Sequence, residues 1–199
     1  MRITGIGLCG AERFCAFMDL PRPMFQSFYD RVVEQIRNTA RICCDLVMKK
    51  AVKEEVQETS NRSDFGSSFG ISVSGDGSWK KRGFKSLFGI SSLIGYFTGK
   101  IVDVIVKSNF CKLCAQMEPK KGTIEYDFFM QDHSLDCSKN HETSSSQMES
   151  DGIKEMFLRS KTLHSVQYTN YIGDGDTKTY KNICDAKPYG DRTIIKKNV

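Results

Sequence analysis

The sequence predicts an α/β protein, in which a mixed sheet with packed helices follows a helical module and is interrupted by a cysteine-containing insertion. Three observations lead to this prediction. In the helical module, residues 1–58, apolar residues recur at three- and four-residue steps, the period of an amphipathic helix. Between residues 71 and 107, three runs rich in β-branched residues follow one another. After residue 146, helical and strand-like patterns alternate.

The N-terminal module is predicted to hold two helices. Residues 11–18 have an amphipathic pattern that the Leu-Pro-Arg-Pro segment at 20–23 interrupts. This favours a helical hairpin, with a DNA-binding helix-turn-helix as the alternative. The second helix carries an apolar stripe between residues 25 and 51. On or beside that stripe we expect two buried thiols, those of Cys43 and Cys44.

A Ser/Gly-rich segment, residues 59–70, is predicted to link this module to a core at residues 71–199. The short Gly99-Lys100 connection favours an antiparallel hairpin between the second and third strands of the core. An insertion at residues 108–146 includes a long stretch without regular pattern. The predicted strands lie at 71–74, 84–98, 100–107, 168–172 and 193–195, and the predicted helices at 147–163 and 177–186.

Composition narrows the functional classes. A hydrophobic content of 39% with 11% aromatic residues excludes a disordered chain, and a net charge of +5 permits a nucleic-acid partner without requiring one. Charged residues interrupt the apolar runs near the N-terminus and in the stretch 87–106, so we expect neither an export signal nor a membrane span. An intracellular chain keeps its thiols reduced, which makes metal ligation the first interpretation of clustered cysteines.

The cysteines of the insertion have the spacing of a zinc site. Cys111 and Cys114 form a Cys-x2-Cys pair, Cys137 follows after 22 residues, and His141 follows after three more. Zn²⁺ prefers four nitrogen or sulfur ligands in a tetrahedron, and a Cys-x2-Cys turn supplies two of them. We therefore predict a structural zinc ion bound by these four residues. His133 is the reserve ligand.

Two carboxylates flanked by glycines are predicted to follow strands. Asp76 lies between two glycines after the first strand, and Asp174 lies between two glycines after the fourth. Carboxylates from neighbouring strands can together hold Mg²⁺, which shares its ligand shell with substrate phosphates. The alternative is that each Gly-Asp-Gly segment is an ordinary turn.

A basic cluster follows Asp76 in the sequence, with Trp79 and Phe84 interleaved. Cations beside a metal-binding carboxylate suit a polyanionic substrate, and aromatic rings can stack on bases. A solvated basic turn is the alternative interpretation. The candidate DNA-binding residues are Lys80, Lys81, Arg82 and Lys85.

Residues 72–83, which read SVSGDGSWKKRG, resemble the signature of the Mutator-like transposase domain of animal mobile elements. Further segments similar to that family follow the same order along the chain. They are FCAFMDLP at 14–21, SSLIGYFTGKIVDVIVK at 91–107, the segment from the Cys-x2-Cys pair to NHE at 111–142, and YIGDGD at 171–176. The resemblance covers nearly the whole chain.

The resemblance implies a ribonuclease-H-like core that cuts and joins DNA with two Asp, one Glu and divalent Mg²⁺ or Mn²⁺. Asp76 matches the first catalytic carboxylate and Asp174 the second, with Asp176 as the alternative for the second. The implied partners are transposon ends and target DNA, the implied location is the nucleus, and a homo-oligomer is compatible with this role.

One departure from the family pattern concerns the third carboxylate. In such cores it lies on a helix beyond the fifth strand, and the sequence reaches Val199 before any such helix. The resemblance therefore predicts an incomplete core that is inactive alone, with Glu149 as an acid that could assist. Two other classes stay open: a non-catalytic zinc-containing DNA-binding or interaction module derived from a transposon, and a purely structural relic.

Overall fold

The computed structural model describes residues 7–62, 70–79, 86–173 and 177–197. Within these ranges the chain forms six α-helices and five strands. None of the helices found there is long and apolar enough to cross a membrane. The helices are α1 (Leu8–Phe17), α2 (Gln26–Asn61), α3 (Lys112–Met117), α4 (Ile124–His133), α5 (Ser145–His164) and α6 (Thr177–Ala186). The strands are β1 (Gly70–Trp79), β2 (Phe88–Gly95), β3 (Ile101–Ser108), β4 (Gln167–Ile172) and β5 (Ile195–Lys197).

The chain forms two compact units, Met1–Val47 and Met48–Val199. The boundary between them lies inside α2, whereas the sequence placed the linker at residues 59–70. Helix α2 itself continues to Asn61. The first unit therefore contains α1 and the first part of α2, and the second unit contains the end of α2 together with the sheet.

The thiols of Cys43 and Cys44 are exposed, so the predicted burial of these two residues is wrong. Their side chains lie on or beside the apolar stripe of α2, which in this part of the helix is open to solvent at Ile42, Leu46 and Val47. A helical period determines which residues share a face of a helix. It does not determine that another element covers that face.

The five strands form one mixed sheet in the order β3-β2-β1-β4-β5. Strands β1, β2 and β3 pair as an antiparallel meander, while β4 lies parallel to β1 and β5 parallel to β4. The parallel pairs are connected through helices, since a parallel neighbour requires a crossover. This arrangement confirms the predicted α/β class with a mixed sheet, and it confirms the β2–β3 hairpin.

Strand β1 is longer than the sequence indicated. It continues through Gly75, Asp76 and Gly77 to Trp79, and Asp76 pairs in register with Ser92 of β2. The interpretation of this Gly-Asp-Gly segment as a turn is therefore wrong. Glycine is disfavoured in strands on intrinsic grounds, but here it makes room for a helix on one face of the sheet.

Helix α5 packs closely across this face. Its residues Ile153, Met156 and Phe157 are all fully buried. A Cβ atom on Gly75 would lie 2.7 Å from the Cδ1 of Ile153, so a larger residue would push α5 away from β1. The rest of the core around α5 includes Ile71, Val73, Leu93, Val102, Tyr168, Tyr171, Ile183 and Ile194.

A buried ion pair joins α5 to β3. Asp103 is only 1% exposed and accepts a 2.6 Å hydrogen bond from Nη2 of Arg159, which also donates to the carbonyl oxygen of Val104 at 2.8 Å. A buried charge is tolerated when it is paired and hydrogen-bonded. The pair therefore fixes where α5 lies along the outer strand of the meander.

A second buried carboxylate fixes the end of α2 on the sheet. Glu55 is fully buried and accepts hydrogen bonds from the backbone N–H groups of Phe97 and Thr98, at 3.0 and 2.9 Å, and from the Thr98 hydroxyl at 2.7 Å. Phe97 and Thr98 belong to the turn between β2 and β3. The carboxylate therefore caps that turn from the side of α2.

The insertion contains α3 and α4, although the sequence predicted no regular structure between residues 110 and 145. Helix α4 begins with an ordinary cap, since Thr123 accepts a hydrogen bond from the backbone N–H of Tyr126 at 3.3 Å. Its apolar residues do not share one face, and Ile124 and Phe128 are exposed. Without an amphipathic period, the pattern that identifies a helix from sequence is absent.

We expect Glu55→Ala to lower the free energy of unfolding by about 3 kcal/mol, because the two backbone N–H groups of the β2–β3 turn lose a charged acceptor. Urea denaturation monitored by circular dichroism measures this change. The matched control is Glu58→Ala, which removes a partly exposed carboxylate 4.0 Å from Arg62 and should cost less than about 0.5 kcal/mol. Equal losses in the two variants would contradict the capping role.

Candidate functional site

The insertion brings four potential metal ligands together. The ligand atoms of Cys111, Cys114, His133 and Cys137 all lie within 4.8 Å of one another. Cys111 precedes the first turn of α3 and Cys114 lies within it, while His133 is the last residue of α4. Cys137 follows the short 3₁₀ turn Ser134–Asp136. The two helices and this turn thus place three sulfur atoms and one nitrogen around a single point.

The distances in this cluster suit a tetrahedral metal ion. The Sγ atom of Cys111 lies 3.2 Å from Nε2 of His133, and the Sγ atoms of Cys114 and Cys137 are 3.5 Å apart. Tetrahedral zinc with bonds of about 2.0–2.3 Å places its donors about 3.6–3.8 Å from one another. Cys111 and His133 are buried, and the ring of Phe129 stacks on the imidazole at 4.8 Å between centroids.

Two of the thiols have shifted pKa values. The hydrogen bond from the backbone N–H of Cys114 is the main cause that lowers the pKa of Cys111, to about 6. Burial is the main cause that raises the pKa of Cys114, to about 12, and its hydrogen bond with the Cys137 thiol raises it further. The cluster therefore stabilises one thiolate beside a second sulfur that stays protonated until a cation replaces its proton. This donor set fits Zn²⁺.

The structure corrects one of the four predicted ligands: His133, the reserve ligand, takes the place of His141. The Nε2 atom of His141 lies 2.8 Å from the hydroxyl of Thr143 and 3.2 Å from the carbonyl oxygen of Ser144. Its Nδ1 atom lies 3.8 Å from a carboxylate oxygen of Asp151 on α5. The imidazole of His141 is therefore bound to the start of α5 and not to the cysteines.

The neighbouring residue, Asn140, attaches this segment to the end of β3. Its side chain accepts from the backbone N–H of Ser108 at 2.8 Å and donates to the carbonyl oxygen of Val106 at 3.0 Å. The backbone N–H groups of Asn140 and His141 both donate to the carbonyl oxygen of Ser108, at 3.0 and 3.1 Å. Residues 140–141 thus clamp the exit of the insertion to the end of β3, close to the point where the insertion leaves that strand.

Of the predicted carboxylates, Asp76 lies within β1 and is exposed. The hydroxyl of Ser92 on β2 donates to its backbone oxygen at 3.4 Å. Asp174 and its alternative Asp176 lie outside the described residues. The register of the parallel strands is nevertheless informative, because Ser74 of β1 pairs with Ile172 of β4. In the sequence, Asp76 follows Ser74 by two residues, and Asp174 follows Ile172 by two residues.

Glu149, the further acid considered from the sequence, lies in the first turns of α5 and reaches β1. A Cβ atom on Gly77 would lie 2.6 Å from the carboxyl carbon and from Oε2 of Glu149. The carboxylate therefore lies directly against the backbone next to Asp76. This close approach requires glycine at position 77, so the second glycine of the Gly-Asp-Gly segment has a packing role.

The basic cluster predicted to bind DNA, which comprises Lys80, Lys81, Arg82 and Lys85, lies outside the described residues. Trp79, which precedes it, is the last residue of β1 and is 37% exposed. Its indole N–H donates to the carbonyl oxygen of Ser145 at 3.1 Å, so this ring ties the end of β1 to the start of α5. The ring is thus held at the sheet edge with part of its surface open to solvent.

Comparison with known proteins identifies one family. A family model described as Mutator-like transposase matches residues 1–198. No curated protein and no solved structure matches the chain significantly.

We expect His133→Ala to weaken zinc binding roughly tenfold or more, because it removes one of four ligands. Competition with a chromophoric chelator measures the affinity, and elemental analysis should give one zinc per wild-type chain. His141→Ala is the matched control, since the structure leaves His141 out of the ligand set, and it should retain wild-type zinc affinity. The reverse result, with zinc lost only in His141→Ala, would contradict the ligand set.

Proposed function

Because the chain belongs to the Mutator-like transposase family, we propose that residues 71–199 form a ribonuclease-H-like core that supplies carboxylates for metal-dependent DNA cleavage and joining. In this proposal Asp76 is the first carboxylate and Asp174 the second, with Asp176 as the alternative for the second. The bound Mg²⁺ or Mn²⁺ would polarise the phosphodiester and stabilise the charge that develops on the attacking and leaving oxygens.

The register of β1 and β4 carries this proposal. The two strands are parallel neighbours, so their carboxyl ends meet at one edge of the sheet. Since Ser74 pairs with Ile172, Asp76 and Asp174 follow the pairing by the same number of residues. A shift of one residue in the register would remove this equivalence. A shared metal ion needs acids near one edge of the sheet, and in the sequence Asp174 follows the end of β4 by two residues.

Glu149, the further acid considered from the sequence, lies on the other face of the sheet from the Asp76 side chain. Its carboxyl group lies against Gly77, which faces α5, whereas the alternation of β1 directs the side chain of Asp76 to the opposite face. We therefore leave Glu149 out of the metal site that Asp76 would form.

The zinc site serves a structural role in this proposal. Four protein ligands leave no open position on a tetrahedral ion, so zinc in this cluster would not activate water or substrate. Much of the apolar surface of α4 and the turn that follows it is exposed, including Ile124, Phe128 and Leu135. A metal ion would thus supply stability that the insertion does not obtain from a hydrophobic core.

The second candidate function is a non-catalytic module that binds DNA or a protein partner. The charge of the insertion argues against DNA binding by the zinc segment itself. Within α4 and the following turn, residues 124–136 contain four carboxylates and no Lys or Arg. Such a surface repels a phosphate backbone. A protein partner fits this part of the insertion better, because it combines carboxylates with exposed apolar side chains.

DNA is the proposed partner of the core, and the nucleus is the proposed location. We propose that the 199-residue polypeptide binds a divalent metal ion and DNA. A homo-oligomer is compatible with this role.

We expect Asp76→Asn to weaken Mn²⁺ binding by the 199-residue chain roughly tenfold or more, because it removes a charged oxygen ligand. Isothermal titration with Mn²⁺ measures the affinity. Asp127→Asn on the exposed face of α4 is the matched control and should leave it unchanged. Unchanged or tighter DNA binding, combined with unchanged Mn²⁺ affinity in Asp76→Asn, would favour the non-catalytic module.

A nicking and strand-transfer assay with Mg²⁺ or Mn²⁺ tests the activity of the chain. We expect no cleavage by the 199-residue polypeptide, because the proposal assigns only two of the three carboxylates that the family resemblance implies. Robust cleavage that Asp76→Ala abolishes would support the carboxylate assignment and contradict the need for a third acid. Robust cleavage that survives Asp76→Ala would overturn the assignment itself.

A further inference from the structure

The first compact unit, Met1–Val47, has almost no interior of its own. In the part of this unit that the structure describes, only Leu8 and Ala11 are buried. Ten of its large apolar side chains are exposed, among them Phe14 and Phe17 of α1, at 60% and 89%. A monomeric protein rarely leaves so many apolar side chains together at its surface. The unit therefore carries an apolar surface that calls for an occupant.

The α2 part of this surface lies on one side of the helix, which we call the α2 face. Phe28, Ile36, Leu46 and Val47 are exposed there, and the exposed thiol of Cys43 lies among them. Neighbouring members of this set are one, three, seven or eight residues apart in the sequence. In a helix with about 3.6 residues per turn, this spacing places all five side chains on the same side.

Charged residues are confined to the other side of this part of α2. At about 100° per residue, each of them lies about 100° or more around the helix from Ile36. They are Asp30, Arg31, Glu34, Arg37, Arg41 and Asp45. Three acids and three arginines give a net charge of 3 − 3 = 0. The α2 face thus has no charge for an oppositely charged partner to neutralise, and this segment does not repel a copy of itself.

The size of the surface suits a second copy of the chain. At about 100 Å² for each half-exposed large side chain, ten side chains offer about 1,000 Å², and a stable interface buries about 800 Å² on each partner. A twofold interface brings the same surface of both copies together, so an uncharged apolar face is complementary to itself. Two copies also supply four helices, the number with which a helical bundle closes around a core.

We propose that the first compact unit is a dimerisation module, in which the α2 faces of two copies of this chain pack together and bury Ile36, Cys43 and Val47. This inference goes beyond the DNA chemistry proposed above and does not depend on it. The dimer contact belongs to the first unit, whereas Asp76 belongs to the second.

Sedimentation velocity of the full 199-residue chain over a range of concentrations tests the proposal. The wild-type chain should sediment with twice the mass of one chain and dissociate on dilution. Ile36→Glu/Val47→Glu should raise the dimer dissociation constant about a hundredfold or more, because each copy would carry two unpaired charges into an apolar interface. Ser27→Glu/Asn38→Glu is the matched control. It introduces the same charge at exposed positions on the other side of α2 and should leave the dimer intact.

A second measurement uses the wild-type chain and so does not depend on how the variants fold. Alkylation of Cys43 by N-ethylmaleimide, followed by mass spectrometry, should be slow at concentrations that give the dimer and fast on dilution, because the thiol is exposed in the single chain. A dimer in which Cys43 stays reactive, or equal weakening by the two Glu pairs, would overturn the assignment to the α2 face. A chain that is monomeric at every concentration would overturn the dimer, and protection of Cys43 in that monomer would show that the α2 face packs against another part of its own chain. The carboxylate assignment would stand in each of these cases.

Discussion

The close approach of α5 to the backbone of β1 and β2 is the constraint on which the rest of this structure depends. Glycines on the sheet make it possible, since a Cβ on Gly75 or Gly77 would meet the side chains of α5 within 3 Å. Because the helix lies so near the strands, its first turns reach the end of β1 and place the carboxylate of Glu149 against Gly77. The same position brings Asp151 of α5 to 3.8 Å from His141 at the exit of the insertion.

The insertion can be long because both of its ends are fixed to this framework. Hydrogen bonds between Ser108 and Asn140 hold its entrance and exit together. These bonds close the loop without any contribution from α3 or α4. The entropic cost of joining the ends of a loop grows only slowly with its length, so a long insertion adds little to this cost. Within the insertion, the four side chains of the Cys/His cluster connect α3, α4 and the turn that follows α4.

The sequence predicted the order of the elements well, because the periods of helices and strands are local properties. The fourth member of the Cys/His cluster could not be predicted in the same way. His133 precedes Cys137 and His141 follows it, with three residues between in each case. The spacing alone therefore does not show which histidine joins the cysteines. The hydrogen bonds between Asn140 and Ser108, which are distant in sequence, hold the neighbouring His141 at the end of β3 and away from the cysteines.

The same limit applies to the Gly-Asp-Gly segment of β1, where local preference favours a turn and the structure has a strand. A neighbour distant in sequence decides the outcome again, because α5 occupies the space that side chains at 75 and 77 would fill. The two glycines therefore face the helix, while the alternation of the strand directs Asp76, between them, to the opposite face. Asp76 is therefore exposed on the face of the sheet that α5 does not cover.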